Sequence, residues 1–189
     1  MLAAGAGSRF GGGKLLAPWR NGVVLDGALT AASAAPVRMV TVVWGADARI
    51  PEVAQALAQS QGRSERLRLV EAQAHAQGLS ASLKAGVASL AADCEGVFVF
   101  LGDMPRIPAA VLIPLAQAVA AGAPAAAPSF AGQRGHPVLF GQALFAELLN
   151  LQGDRGAGAL LQRLGPAVAS VDAPDDGVLY DIDRPEDLD

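Results

Sequence analysis

The sequence predicts an α/β protein with a Rossmann-like, doubly wound and mostly parallel sheet. Three runs, Val37–Trp44, Leu67–Val70 and Val97–Leu101, consist largely of β-branched, aromatic and other apolar residues, which is typical of strands buried on both faces. The segments between them, Ile50–Ser60 and Ser80–Leu90, carry apolar residues at helical spacing. Because strands and helices alternate in this way, we expect βαβ crossovers that cover both faces of one sheet.

The remaining elements extend this pattern. Met1–Ala4 is predicted to be a very short first strand. Without an internal repeat or a flexible linker, we expect one domain over residues 1–189, with a small β-hairpin or cap region in its second half. The predicted elements of that half are helices over Pro108–Ala121, Ala143–Leu149 and Ala157–Leu164, and strands over Ala123–Ala127, Pro137–Phe140, Val168–Val171 and Val178–Ile182.

Composition excludes several classes of protein. The 189 residues are 52% hydrophobic and 17% charged, which excludes intrinsic disorder. A formal net charge of −4 argues against a nucleic-acid partner. The only cysteine, Cys94, excludes an internal disulfide, and with two histidines it leaves too few ligands for structural zinc. Prolines interrupt the long uncharged run over residues 107–133, and no signal peptide is recognisable. We therefore expect a cytoplasmic protein without a membrane partner.

A glycine-rich segment, LAAGAGSRFGGGK, follows the first predicted strand. Its glycines leave backbone N–H groups free to surround an anion, and Arg9 and Lys14 add positive charge suited to phosphate oxygens. The segment matches neither a Walker A loop nor the Rossmann fingerprint. A solvated turn with two exposed cations is the alternative interpretation.

Two further segments carry carboxylates. LGDMP places Asp103 at the end of the strand over Val97–Leu101, where ligands bind in open α/β sheets. Asp181 and Asp183 alternate in DIDRPEDL and would share one face of a strand. Carboxylates beside a triphosphate indicate a bound Mg²⁺, which Asp103 would hold with one of the other two. Helix capping is the alternative for both Asp103 and Asp183.

Six segments together resemble the MobA-like nucleotidyltransferases, over almost the whole chain. The resemblance implies the sheet of nucleotide-diphospho-sugar transferases. It is strongest to the molybdenum cofactor cytidylyltransferase branch, because Ala4 stands where guanylyl-transferring relatives usually have glycine. The six segments are LAAGAGSRFGGGK (2–14), GLSASL (78–83), LGDMP (101–105), GQRGHPVLF (132–140), GDRGAGALL (153–161) and DIDRPEDL (181–188).

The resemblance implies transfer of CMP from CTP to the terminal phosphate of molybdopterin, with release of pyrophosphate and a molybdenum dehydrogenase as possible recipient of the product. It assigns Arg9, Lys14 and Asp103 to catalysis and Arg134 and His136 to the acceptor. Mg²⁺ would be held by Asp103 with Asp183 or Asp181. The residues implied in nucleotide binding are Leu2, Ala3, Ala4, Gly5, Gly7, Ser80 and Ser82.

Some alternatives remain open at this point. Ser80 or Ser82 would also suit the N-cap of the helix that follows. Gly158 stands where relatives commonly have arginine near the acceptor, so another small phosphorylated acceptor is an alternative, as is GTP as the donor. A carrier that holds molybdenum cofactor without catalysis would not need Asp103. A nicotinamide-dependent oxidoreductase is disfavoured by the missing Rossmann fingerprint.

Overall fold

The computed structural model describes residues 1–153 and 156–188 and shows a mixed α/β architecture. Within these described ranges there are six α-helices and ten strands, and short 3₁₀ turns join many of them. The helices are α1 Val24–Ala34, α2 Ile50–Ser60, α3 Leu79–Ala88, α4 Leu112–Ala120, α5 Phe145–Leu149 and α6 Gly158–Leu164. The strands are β1 Leu2–Ala3, β2 Pro18–Trp19, β3 Gly22–Val23, β4 Val40–Trp44, β5 Leu67–Glu71, β6 Gly96–Val99, β7 Ala125–Phe130, β8 Gln133–Arg134, β9 Val138–Gly141 and β10 Val168–Asp172.

The central sheet consists of two ladders that meet at Leu2. One ladder has the order β1-β4-β5, and the other has the order β10-β7-β9-β6. Leu2 joins them, because its N–H donates to Phe100 O at 2.8 Å and its carbonyl accepts from Gly102 N at 2.9 Å. The resulting order is β5-β4-β1-β6-β9-β7-β10, in which β9 runs antiparallel to both of its neighbours. The predicted mostly parallel sheet is confirmed, and β8 adds the expected hairpin beside β7.

Helices cover the two faces of this sheet and create two apolar cores. Alternate residues of a strand point to opposite faces, so Ala3 and Val42 pack with α1, α2 and α4. Leu2 and Val43 point the other way and pack with α3, α5 and α6. Both faces of the central strands are therefore buried, which explains why these strands are almost continuously apolar in sequence.

The long uncharged run over residues 107–133 forms several short elements. A 3₁₀ turn over Ala109–Val111 leads into α4, and β7 follows after a turn at Gly122, whose φ is +106°. Pro108 precedes the first turn, and Gly122 ends the helical segment. In the described ranges, 1–153 and 156–188, we find no helix with the length and apolar character needed to cross a membrane.

The structure corrects the predicted strand over Val178–Ile182. A 3₁₀ turn over Asp176–Val178 is followed by an extended segment outside the sheet. Its backbone is used elsewhere, because Val178 O accepts from His136 N at 2.9 Å and Ile182 N donates to Asp103 O at 3.0 Å. Asp181 and Asp183 therefore do not share the face of a strand. The segment after Pro185 forms a 3₁₀ turn over Pro185–Leu188.

Candidate functional site

The candidate site lies where the neighbouring strands β1 and β6 end. The glycine-rich loop follows β1, and the Leu101–Pro105 segment follows β6. Because Leu2 pairs with both β4 and Leu101, the two segments leave the same edge of the sheet side by side. This is the edge at which open α/β sheets bind their ligands.

Four glycines give the loop its shape. Gly7, Gly11, Gly12 and Gly13 have φ angles of +60°, +90°, +95° and +65°, a region that side chains with a Cβ rarely adopt. Gly7 O accepts from Phe10 N at 3.0 Å and from Gly12 N at 3.1 Å, which closes the loop on itself. Within the described part of the chain, the N–H groups of residues 5–7 donate to no protein acceptor. The loop thus presents donors suited to an anion.

Lys14 joins the two segments through charge. Its Nζ lies 2.6 Å from Asp103 Oδ2 and 3.3 Å from Asp183 Oδ1, and its side chain is only 12% exposed. Arg9 Nη1 donates to Asp183 Oδ2 at 2.8 Å nearer the surface. The structure therefore brings together Arg9, Lys14, Asp103 and Asp183. The Asp103 carboxylate faces Lys14, and Pro108 occupies the N-cap position of the next helical turn, so the capping alternative for Asp103 is not observed.

Lys14 and Asp183 stabilise each other's charged forms within the cluster of Arg9, Lys14, Asp103 and Asp183. Burial lowers the pKa of Lys14, but the hydrogen bonds and charges of Asp103 and Asp183 outweigh it, so the net shift is upward. Desolvation raises the pKa of Asp183, but its bonds to Lys14 and Arg9 outweigh that, so the net shift is downward. An ammonium and a carboxylate that stabilise each other in this way stay charged near neutral pH.

Asp181 lies at the surface next to the cluster. Desolvation by the surrounding protein, with the negative charges of Asp103 and Asp183, raises the pKa of its carboxyl group. Asp187 fixes the position of this segment, because its Oδ2 accepts from Asp183 N at 2.8 Å and from Arg184 N at 2.7 Å. Asp187, rather than Asp183, is therefore the residue that caps this turn, and the Asp183 carboxylate remains with the cations.

His136 lies beside the same carboxylates. Its Nδ1 is 3.4 Å from Val99 O, and burial lowers its pKa, while the charges of Asp103 and Asp181 act in the opposite direction. A neutral imidazole is expected there at neutral pH. Arg134 is exposed on β8. Asp154 and Arg155, within the GDRGAGALL segment, lie outside the described residues.

The predicted nucleotide-binding residues differ in their accessibility. Leu2, Ala3 and Ala4 are buried, whereas Gly5 is exposed. Ser80 and Ser82 are buried at the start of α3, where Gly78 occupies the N-cap position and no side chain caps the helix. The capping alternative for these serines is therefore wrong. The Ser80 hydroxyl has no hydrogen-bond partner within the described part of the chain.

The carboxylates of Asp103 and Asp183 lie close enough together to bind one small cation. Asp103 Oδ2 and Asp183 Oδ1 both lie within 3.3 Å of Lys14 Nζ. Among residues 1–153 and 156–188, no three His, Cys, Asp or Glu side chains form a metal-binding group. Mg²⁺ commonly uses only one or two carboxylates together with substrate phosphates. The donor set therefore fits magnesium held jointly with a nucleotide, and does not fit a metal caged by protein alone.

Gly27 of α1 supports the Asp103 segment and was not recognised from sequence. A Cβ at Gly27 would lie 2.4 Å from Pro105 O and 2.8 Å from Pro105 Cα, so this helix approaches the segment more closely than any other residue type allows. No local turn signal marks the position, because the glycine lies inside a helix.

Replacing Gly27 with alanine is expected to destabilise the fold by about 1–3 kcal/mol, the usual range for overpacking, and to reduce turnover by displacing Asp103. Urea unfolding and steady-state kinetics measure the two effects. Gly158→Ala is the matched control for stability, because a Cβ there meets nothing within 4 Å. Equal unfolding free energies for the two variants would contradict this role of Gly27.

Comparisons with known proteins show which family and fold this chain is similar to. The model of the MobA-like NTP transferase domain matches residues 1–168. The chain is 32% identical over 195 residues to the purine catabolism protein PucB of Bacillus subtilis, covering 100% of this chain and 92% of that protein. The structure of Rv0371c from Mycobacterium tuberculosis superimposes with a TM-score of 0.80, at 28% identity over 98% of this chain and 92% of that one.

Two further structures extend the comparison. A complex of Rv0371c with manganese gives a TM-score of 0.72 at 26% identity, over 91% of this chain and 84% of that one. A Methanothermobacter nucleotidyl transferase gives 0.76 at 23% identity, over 98% and 91%. The latter likeness concerns the fold alone.

Proposed function

The chain belongs to the MobA-like NTP transferase family and is a nucleotidyltransferase, and from its site we propose that it transfers CMP from CTP to the terminal phosphate of molybdopterin. Pyrophosphate is the second product. Residues 1–189 act as one domain in this proposal, and a molybdenum dehydrogenase receives the modified cofactor. The observation that carries the proposal is the contact of Lys14 with both Asp103 and Asp183 beside a glycine loop.

The glycine loop and its two cations suit a triphosphate. The N–H groups of residues 5–7, which donate to no acceptor among the described residues, supply neutral donors. Lys14 and Arg9 supply positive charge from the same loop. Lys14 is mostly buried, whereas 75% of the Arg9 side chain is exposed. Since charge interactions strengthen when water is excluded, Lys14 contributes more to holding the phosphates, and Arg9 screens their outer oxygens.

The acceptor needs little activation in this reaction. A terminal phosphate oxygen is already anionic near neutral pH, so its attack on the α-phosphorus of CTP requires no general base. The main obstacle is to bring two anions together in line, and positioning with charge neutralisation supplies most of the catalysis. Lys14 and Arg9 neutralise charge on the phosphates, and pyrophosphate departs from the same cations. Arg134 and His136 are assigned to the acceptor side.

The carboxylates suit a divalent cation. Asp103 and Asp183 would hold Mg²⁺, which when bound neutralises phosphate charge and polarises the transferred group. Without such a cation, two carboxylates near a triphosphate would repel it. Rv0371c, which is similar to this chain, forms a complex with manganese, which supports a role for a divalent ion. Asp181 contributes further negative charge from the surface.

Base selection is assigned to the segments around Ala4 and Ser80. Ser80 is only 2% exposed, and its buried hydroxyl has no partner among the described residues. A polar group in that setting costs free energy unless a partner is supplied. A hydrogen bond to the cytosine or ribose would satisfy it. Gly5 and Gly7 then approach the nucleotide through their backbone, while Leu2, Ala3 and Ser82 shape the pocket behind it.

Nucleotide binding tests which nucleoside triphosphate the protein uses as the donor of the nucleotidyl group. In thermal unfolding with CTP, GTP or ATP, each with and without Mg²⁺, we expect CTP with Mg²⁺ to give the largest stabilisation. At 100 times its Kd, a ligand adds about 2.7 kcal/mol, which raises the Tm of a domain of this size by about 5–10 °C. A larger Tm shift with GTP would identify GTP, and not CTP, as the nucleotide donor. No Tm shift with any nucleotide would contradict the proposal.

The acceptor requires a separate experiment. Pyrophosphate release from CTP should require molybdopterin and should not occur with sugar or polyol phosphates. Gly158 has open space around the position of a Cβ, so this part of α6 offers no side chain to an acceptor. If sugar phosphates supported equal turnover, the acceptor assignment would be wrong while nucleotidyl transfer would stand.

A further inference from the structure

Arg49 is a cation beside the glycine-rich loop that has no role in the site described above. It follows β4 and directly precedes α2, and a Cβ at Gly13 would lie 3.3 Å from its Nη2 atom. Gly13 is the last glycine of the loop and directly precedes Lys14. A positive charge from a neighbouring strand therefore lies against the loop that carries Arg9 and Lys14.

The segment over residues 46–49 contacts both ends of the glycine-rich loop. At the start of the loop, Ala46 N donates to Ala4 O at 3.2 Å, and at its end the segment reaches the loop through Arg49. The N–H groups of residues 5–7, which donate to no acceptor among the described residues, begin directly after Ala4. An anion bound by these N–H groups would therefore have the 46–49 segment beside it.

The end of the loop at Gly13 lies close to the same N–H groups. Gly12 N donates to Gly7 O at 3.1 Å, and a Cβ at Gly7 would lie 3.1 Å from Lys14 Cβ. Both chain neighbours of Gly13 therefore lie against Gly7. The guanidinium group next to Gly13 is thus near the backbone donors that suit a phosphate.

Asp47 holds the Arg49 side chain in position. Its Oδ1 accepts from Arg49 Nε at 2.9 Å, and its Oδ2 accepts from Arg49 Nη2 at 2.7 Å. The hydrogen bond from the Arg49 side chain lowers the pKa of Asp47, so the pair is charged near neutral pH. These bonds occupy the Nε–Nη2 edge of the guanidinium, whereas Nη1 donates to no acceptor in the part of the chain that the structure describes.

The charges of the cluster leave a triphosphate partly uncompensated. They cancel, because they belong to two cations and two carboxylates: Arg9, Lys14, Asp103 and Asp183. A triphosphate remains anionic even with one Mg²⁺ bound. Arginine presents its donors in one plane and along more than one edge, so one edge can stay on a carboxylate while another binds phosphate oxygens.

The strand order indicates which phosphates Arg49 can reach. Because Arg49 follows β4 and Asp103 follows β6, they flank the loop after β1 from opposite sides. In the proposed reaction the α-phosphorus reacts beside Asp103. Arg49 is therefore placed for phosphates that lie further from the reacting centre.

We propose that Arg49 is a third phosphate-binding residue, which binds the outer phosphates of the nucleoside triphosphate through the guanidinium edge that Asp47 leaves free. The inference rests on the proposed function, because it concerns the same nucleotide site. In the nucleotide complex Arg49 holds the β- and γ-phosphates, and after transfer it holds the pyrophosphate leaving group.

Nucleotide binding to an Arg49→Met variant tests the proposal. With Mg²⁺ present, we expect CTP and pyrophosphate to bind at least ~10-fold more weakly, the loss expected for one hydrogen bond to a charged group. CMP lacks the outer phosphates and should bind as it does to the parental chain. Isothermal titration calorimetry measures the three dissociation constants. If GTP is the donor, the same comparison uses GTP and GMP.

The chain offers a matched control for this variant. Arg38 precedes β4, whereas Arg49 follows it, and Arg38 likewise forms two hydrogen bonds with one carboxylate, that of Asp93. Both arginine side chains are mostly exposed, and exposed ion pairs contribute little to stability. Arg38→Met should therefore bind all three ligands like the parental chain, and both variants should stay folded.

Two results would overturn this inference alone. Equal affinities of Arg49→Met and the parental chain for CTP would show that Arg49 does not contact the phosphates. An equal loss of affinity for CMP and CTP would mean that Arg49 acts on the shape of the loop and not on the outer phosphates. In both cases the parental chain binds the nucleotide, so the proposed function stands. If the parental chain bound neither CTP nor GTP, the inference and the proposed function would both be wrong.

Discussion

Replacing Lys14 with methionine is expected to lower turnover at least ~100-fold, the loss seen when one preorganised donor to developing charge is removed. Methionine keeps the length and packing of the side chain but removes the ammonium that contacts Asp103 and Asp183. The remaining carboxylates would then repel an incoming triphosphate. Steady-state pyrophosphate release at saturating CTP and Mg²⁺ measures the effect, which corresponds to about 2.7 kcal/mol in the barrier.

The chain offers a matched control for this variant. Lys84 of α3 is the only other lysine and forms no ion pair among the described residues. Lys84→Met should keep the parental rate. Unfolding curves of both variants separate loss of catalysis from loss of fold. Comparable rates for Lys14→Met and Lys84→Met would remove Lys14 from the mechanism.

Replacing Asp103 with asparagine is the second change with a large expected effect. Asparagine preserves the shape of the side chain and can still accept a hydrogen bond from Lys14, but it removes the negative charge that would hold Mg²⁺. We expect turnover to fall at least ~100-fold and the dependence on Mg²⁺ concentration to move to higher values. Binding of CTP in the absence of metal should be unchanged or tighter, because one repulsive charge is gone.

This split between metal-dependent turnover and metal-free binding distinguishes the proposed enzyme from a cofactor carrier. In a carrier, Asp103→Asn would leave cofactor binding unaffected and no metal dependence would be seen. Asp93→Asn is the control, since Asp93 pairs with Arg38 on the surface at the other end of β6. Near-parental turnover of Asp103→Asn would contradict our assignment of Asp103.

The sequence predicted the sheet well wherever burial on two sides determined the residues. The runs that form β4, β5 and β6 were recognised to within a few residues. Both faces of β4 and β6 are apolar, whereas β5 lies at the edge of the sheet and carries the exposed Arg68 and Glu71. The helix α1 was missed because its capping carboxylate, Asp26, lies inside the helix and accepts from Val23 N at 3.1 Å, whereas a cap is normally sought before the helix. The β2–β3 hairpin was missed because each strand has only two residues.

The segment Val178–Ile182 shows where local pattern fails. Its apolar residues are typical of a strand, but its backbone groups are bound to His136 and Asp103 instead of to a neighbouring strand. No feature of the sequence near this segment indicates such distant hydrogen-bond partners. The same contacts bring Asp183 to Lys14, so the error in secondary structure and the position of Asp183 beside Lys14 have one cause.

The composition of the candidate site was predictable, but its connections were not. Motifs identified Arg9, Lys14 and Asp103 as charged groups at the ends of strands. That Lys14 contacts two carboxylates depends on chain segments up to 169 positions apart, which spacing cannot reveal. The supporting role of Gly27 is likewise tertiary, because it depends on the close approach of Pro105, whereas Asp187 acts on residues only three and four positions before it.

The junction at Leu2 makes the stability of the sheet and the activity of the protein interdependent. Leu2 is the residue through which the two ladders are joined. The loop bearing Lys14 and the segment bearing Asp103 leave the sheet on opposite sides of this junction. Any motion that opens this junction also separates Lys14 from Asp103. A substrate that binds both the Lys14 loop and the Asp103 segment links the two ladders. The free energy of unfolding should therefore increase when substrate is bound.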